Sequence, residues 1–118
     1  MKYMLLIHGA EDADGASDVP AGPSFEDWQV YDKAVKDAGI WVSGHALADL
    51  VTATTVRVDP ATERPVITDG PFAESREVLG GYYVIDVPDL DAALDWAVRC
   101  PGARAGSVVV RPVAEFEA

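Results

Sequence analysis

The chain has 118 residues, 49% of them hydrophobic, which is enough for one core and too little for a second domain with a core of its own. Twenty acidic against nine basic residues give a net charge of -11, a surface that repels phosphate backbones and anionic lipid and argues against nucleic acid or membrane as direct partners. A single cysteine, Cys100, excludes an internal disulfide and a thiolate metal cage. With no cleavage-type flank at the start and no apolar stretch of bilayer length, one cytoplasmic domain over residues 1–118 is expected.

The first apolar run, Tyr3 to Ile7, is nearly unbroken and closed by His8-Gly9, which suits a strand buried on both faces. Gly9 to Pro23 is rich in Asp, Gly and Pro and reads as a long loop. Its Asp12-Ala13-Asp14-Gly15 with Asp18 lacks the ligands of a calcium loop. Ser24-Phe25-Glu26-Asp27 opens a helix, on which Phe25, Trp28, Tyr31, Ala34, Val35 and Ala38 form an apolar stripe ended by Gly39.

Ile40 to Gly44 reads as a second strand and Ala53 to Val58 as a third, with a turn at Asp59-Pro60 and a short returning strand from Pro65 to Thr68. Val78 to Val87 makes a fifth strand, with Gly80-Gly81 marking a bulge or close backbone approach. Asp89 caps a second helix running to Arg99, with Leu90, Ala93, Leu94 and Ala97 on its buried side and Pro101-Gly102 at its end. Ser107 to Arg111 is the last strand.

This order gives an α+β, ferredoxin-like β-α-β…β-α-β scheme with an inserted hairpin. Right-handed crossovers place both helices on one face of the sheet. Met4 to Ile7, Tyr82 to Ile85 and Val108 to Val110 nevertheless offer apolar side chains to both faces, so the bare face predicts a two-fold homodimer.

The stretch from Val66 through Asp69-Gly70-Pro71-Phe72 to Gly80-Gly81-Tyr82-Tyr83 and Val87 closely resembles the segment defining YCII-related proteins of the DGPF-domain type. Met1 to Ile7, Ala53 to Arg57, Trp96-Ala97 with Pro101, and Val110 to Val113 extend the resemblance over nearly the whole chain. It implies a dimeric α+β barrel in a family largely without an assigned reaction. Frequent encoding beside extracytoplasmic-function sigma factors further implies a regulatory or stress-linked role. The broader family is similar to muconolactone-isomerase-like barrels, has a dehalogenase-like branch, and has a proposed site of one histidine early in the first helix and one aspartate near its end. Asp37 matches the aspartate, but Asp27 falls at the histidine position, so a His-Asp relay cannot operate there.

The connection from Asp69 to Glu77 concentrates special residues: Asp69-Gly70-Pro71 favours a rigid turn, Phe72 an apolar anchor, and Glu74, Arg76 and Glu77 present both signs of charge. Its structural role would be simpler, with Asp69 bonding loop N–H groups and Glu74 pairing Arg76 at the surface. His8 and His45 end or follow strands and reach the rim of a common pocket, although their spacing matches no metal motif. No phosphate loop, nucleophile elbow or dinucleotide fingerprint is present, so no cofactor is expected.

The sequence therefore predicts a homodimer of unassigned reaction with a pocket between sheet and helices for a small neutral or cationic metabolite. Cofactor-free acid–base catalysis of isomerase or lyase type would use His8 or Glu74 to move a proton and Arg76 to steady an anion. His45, Asp69, Phe72 and Tyr82 would contact the ligand. The alternative is a non-catalytic regulatory module that binds a protein partner linked to sigma-factor signalling.

Overall fold

The computed structural model describes residues 1–10, 23–48, 52–69 and 77–115. Among these residues six strands and three helices follow one another as β1 (Lys2–Ala10), α1 (Phe25–Asp37), β2 (Trp41–Ala46), β3 (Thr54–Val58), β4 (Pro65–Asp69), β5 (Glu77–Asp86), α2 (Leu90–Arg99), α3 (Gly102–Ala105) and β6 (Ser107–Pro112). Four strands form one antiparallel sheet in the order β2-β5-β1-β6, and β3 and β4 form a separate two-stranded sheet. The order and the helix crossovers make the domain ferredoxin-like, with the β3–β4 hairpin inserted between its second and third sheet strands.

Both main helices start where their caps dictate. Ser24 Oγ accepts from the Asp27 N–H while the Asp27 carboxylate accepts from the Ser24 N–H, a reciprocal box that satisfies two free donors. At the head of α2 the Asp89 carboxylate accepts from the Ala92 N–H. Gly39, at φ 73°, turns the chain after α1 in the left-handed region that glycine adopts without strain.

Tyr31 and Val35 of α1 and Ala93 and Ala97 of α2 bury against Tyr3, Leu5, Ile85 and Val87 of the sheet, with Cys100 completing the cluster. Both helices thus cover one face, and the Tyr31 hydroxyl ties them by donating to Trp96 O at 2.8 Å. Burial raises the Tyr31 phenol and the Cys100 thiol above their usual ranges. Cys100 is a small core hydrophobe.

The apolar stripes are narrower than the sequence suggests. Phe25 is 77% exposed, and Leu90 and Leu94 stand outside the core because the α2 contact uses the small Ala93 and Ala97. Pro101-Gly102, expected to end α2, also begins the one-turn α3, seated on β1 because Gly102 has no side chain. A Cβ there would lie 2.6 Å from Ile7 Cγ2.

The opposite face of the sheet carries Met4 and Leu6 of β1 in register with Val84 and Tyr82 of β5, and Val109 of β6 beside Leu6. This face is apolar, with Leu79 and Val109 exposed. The hairpin also exposes apolar residues: Val56 pairs with Ile67 and Val58 with Pro65, and all four are exposed. Among the described residues, no helix is long and apolar enough to cross a membrane.

Candidate functional site

The core stops where the helix-facing positions of the sheet become glycines. Along β1 the sequence of inward residues is Tyr3, Leu5, Ile7 and then Gly9; on β5 Gly81 faces Ile7, and on β2 Gly44 faces Tyr83. Close packing forbids side chains at two of these, since a Cβ at Gly81 would lie 2.9 Å from the His45 carbonyl oxygen and one at Gly44 3.1 Å from the Tyr83 ring. At Gly9 a Cβ would meet nothing within 4 Å. Beside these glycines lies a cavity of about 550 Å³ between the sheet and α1, within the usual range for small-molecule sites.

One line of α1 residues, Trp28, Asp32 and Lys36, faces this space because positions four apart share a helix face. Trp28 packs beside Gly102 at one end, and Trp41, the first residue of β2, lies at the other. Between them the Tyr83 hydroxyl donates to Asp32 Oδ1 at 3.3 Å, and Lys36 Nζ lies 2.8 Å from Asp32 Oδ2 and 5.0 Å from the Trp41 ring centroid. Burial first, then the Asp32 carboxylate, pushes the Tyr83 phenol well above its usual range, so Tyr83 stays a donor. At its exposure the Asp32–Lys36 pair contributes about 0–1 kcal/mol to stability. Its greater consequence is a carboxylate and an ammonium presented together to an otherwise apolar, aromatic-walled space.

The expected site residues separate. His8, His45 and Tyr82 border the cavity, but strand alternation sends their side chains to the open face of the sheet, opposite Ile7, Gly44 and Tyr83. There the His45 and Tyr82 rings lie 5.7 Å apart, while His8 sits on β1 opposite Leu79 with Nδ1 3.3 Å from the Leu6 carbonyl oxygen. Asp69 ends β4 opposite Thr54 on the hairpin. Phe72, Glu74 and Arg76 lie outside the described residues.

Neither acid matched to the helix site faces the cavity. Asp27 belongs to the α1 capping box, and Asp37 is an exposed partner of Lys33 at 2.6 Å. Asp32 is the acid that does, and the apolar stripe obscured it. The readable signal was an acid four residues after Trp28 and four before Lys36, beside the stripe rather than in it. Among the described residues, no three His, Cys, Asp or Glu side chains gather as a metal-binding group.

Comparison with known proteins bears on the whole chain. A model of the YCII-related domain family matches residues 1–117. The chain belongs to the YCII-related family. An uncharacterized protein of Rhizobium meliloti (strain 1021) is 46% identical over 54 residues, which span 44% of this chain and 44% of that protein. YCII membership and the ferredoxin-like sheet agree, and the site must be read from its own geometry.

Proposed function

We propose that this YCII-related chain is a cytoplasmic, homodimeric small-molecule-binding protein whose ligand occupies the cavity between α1 and the sheet. The observation that carries the reading is the cavity of about 550 Å³, with aromatic walls and the polar group Tyr83, Asp32 and Lys36 at its side. The net charge of -11 favours neutral or cationic ligands.

The same group supports cofactor-free acid–base chemistry of isomerase or lyase type. Asp32 takes a proton from a carbon next to a carbonyl, and the Lys36 ammonium faces the oxygen on which negative charge develops. Returning the proton at another carbon is an isomerisation, whereas loss of a leaving group instead is an elimination. Tyr83 holds the Asp32 carboxylate toward the cavity. This assignment moves the proton step from His8, whose side chain lies on the other face of the sheet.

Dimerisation is supported by the open face, where the half-buried Met4, Leu6 and Tyr82 adjoin the exposed Leu79 and Val109. A second reading, a regulatory protein-interaction module, has one observation in its favour: the hairpin exposes Val56, Val58 and Ile67 on one side.

Filling the cavity tests the proposal. Indole, a flat apolar probe, should bind the wild-type protein in a calorimetric titration and fail to bind Gly9→Leu, whose side chain enters the empty space, while the melting temperature holds. Equal binding by both proteins would remove the cavity from consideration.

A further inference from the structure

We infer that the ligand of this cavity is a flat, conjugated ring system carrying one neutral hydroxyl or enol group, held between Asp32 and Lys36. The inference rests on the cavity reading above and adds the chemical class. It starts from the shape. Three sheet positions beneath the space, Gly9, Gly44 and Gly81, present main chain without side chains, beside the inward Ile7 and Tyr83, so the floor carries little side-chain bulk. Trp28 and Trp41 contribute indole rings to its lining, and the line of α1 from Trp28 to Lys36 covers eight residues, or about 12 Å at the helical rise. A slot of that length, with little side-chain bulk on its floor and indole rings in its lining, suits fused or linked rings.

The polar inventory selects the substituent. Lys36 offers only donors and Asp32 only acceptors; Asp32 Oδ1 already receives the Tyr83 hydroxyl and Oδ2 the Lys36 ammonium, each oxygen keeping a further lone pair. A hydroxyl accepts from Lys36 and donates to Asp32 at once, leaving no group unsatisfied. A carboxylate can accept from Lys36 but faces Asp32 with like charge, in a protein that is already strongly acidic. An ammonium donates to Asp32 but meets Lys36. Because the remaining wall among the described residues is largely aromatic, aliphatic or glycine, further polar substituents on the ligand would be desolvated there with few side-chain partners.

Equilibrium dialysis of 2-naphthol, naphthalene and 2-naphthoate against the wild-type protein tests this directly. We expect 2-naphthol to bind about tenfold more tightly than naphthalene, the scale of one charge-assisted hydrogen bond, and 2-naphthoate to bind more weakly than 2-naphthol. In Asp32→Asn the preference for naphthol should shrink while naphthalene affinity stays unchanged, a split that general loss of structure would not give. Lys36→Met, altering a half-exposed side chain, should reduce the preference in the same way. Equal affinity for naphthol and naphthalene would remove the hydroxyl but leave the cavity. Tighter 2-naphthoate would replace it with an anion, and no binding by any of the three would overturn both readings.

Discussion

The Tyr83 hydroxyl donates to Asp32 Oδ1 at 3.3 Å, joining β5 of the sheet to α1 across the side of the cavity. Tyr83 also meets Tyr31 edge-on, with ring centroids 5.5 Å apart, so one ring links the packed core to the polar group of the site.

That position makes Tyr83 a reporter of alkaline unfolding. Its phenol holds its proton more tightly in the folded protein than in the unfolded chain, as does that of Tyr31. The stabilisation is therefore complete below the unfolded tyrosine value of about 10 and is lost as pH rises beyond it. Urea unfolding as a function of pH should show stability falling above about pH 10. Tyr83→Phe should lower stability at neutral pH by about 0.5–1.5 kcal/mol and flatten the alkaline limb.

Two glycines on the cavity floor should respond in opposite ways to alanine. Gly81→Ala forces a methyl to within 2.9 Å of the His45 carbonyl oxygen and should destabilise by about 1–3 kcal/mol. Gly9→Ala meets no atom within 4 Å and lies at a φ open to any residue, so it should be neutral or stabilise by up to about 1 kcal/mol. Denaturant midpoints of the two variants, compared with the parent at constant m, check the contrast.

The open sheet face makes a prediction about assembly. Val109, 42% exposed and in register with Leu6, lies on it. Val109→Arg should convert a dimer to a monomer in sedimentation equilibrium with the helix-side core intact. A wild-type chain that sediments as a monomer at micromolar concentration would contradict the dimer.

Much of the architecture was legible because it rests on local chemistry. Ser24 with Asp27 and Asp89 mark helix starts, Gly39 marks a stop, and Gly80-Gly81 signals the place where the β1–β5 register shifts between Ile7 and His8. β1 runs on to Ala10, past its apolar run, because Gly9 and Ala10, which carry little strand propensity of their own, are held by pairing with Val78 and Glu77. The site was less legible for a geometric reason. Histidines attract attention as proton carriers, but alternation in the strands decides which face they serve, and Asp32 has no motif to distinguish it from the other acids of α1. A cavity beside glycines has no residue to announce it until the strands are set in register.

The most direct test of the cavity reading is amide chemical-shift mapping of the 15N-labelled wild-type protein during titration with 2-naphthol. The account predicts that the largest shifts fall on the backbone amides of Gly9, Gly44, Gly81 and Gly102 and on the indole N–H signals of Trp28 and Trp41. Shifts concentrated instead on Leu6, Val84 and Val109 of the open face, or on Val56 and Ile67 of the hairpin, would contradict it.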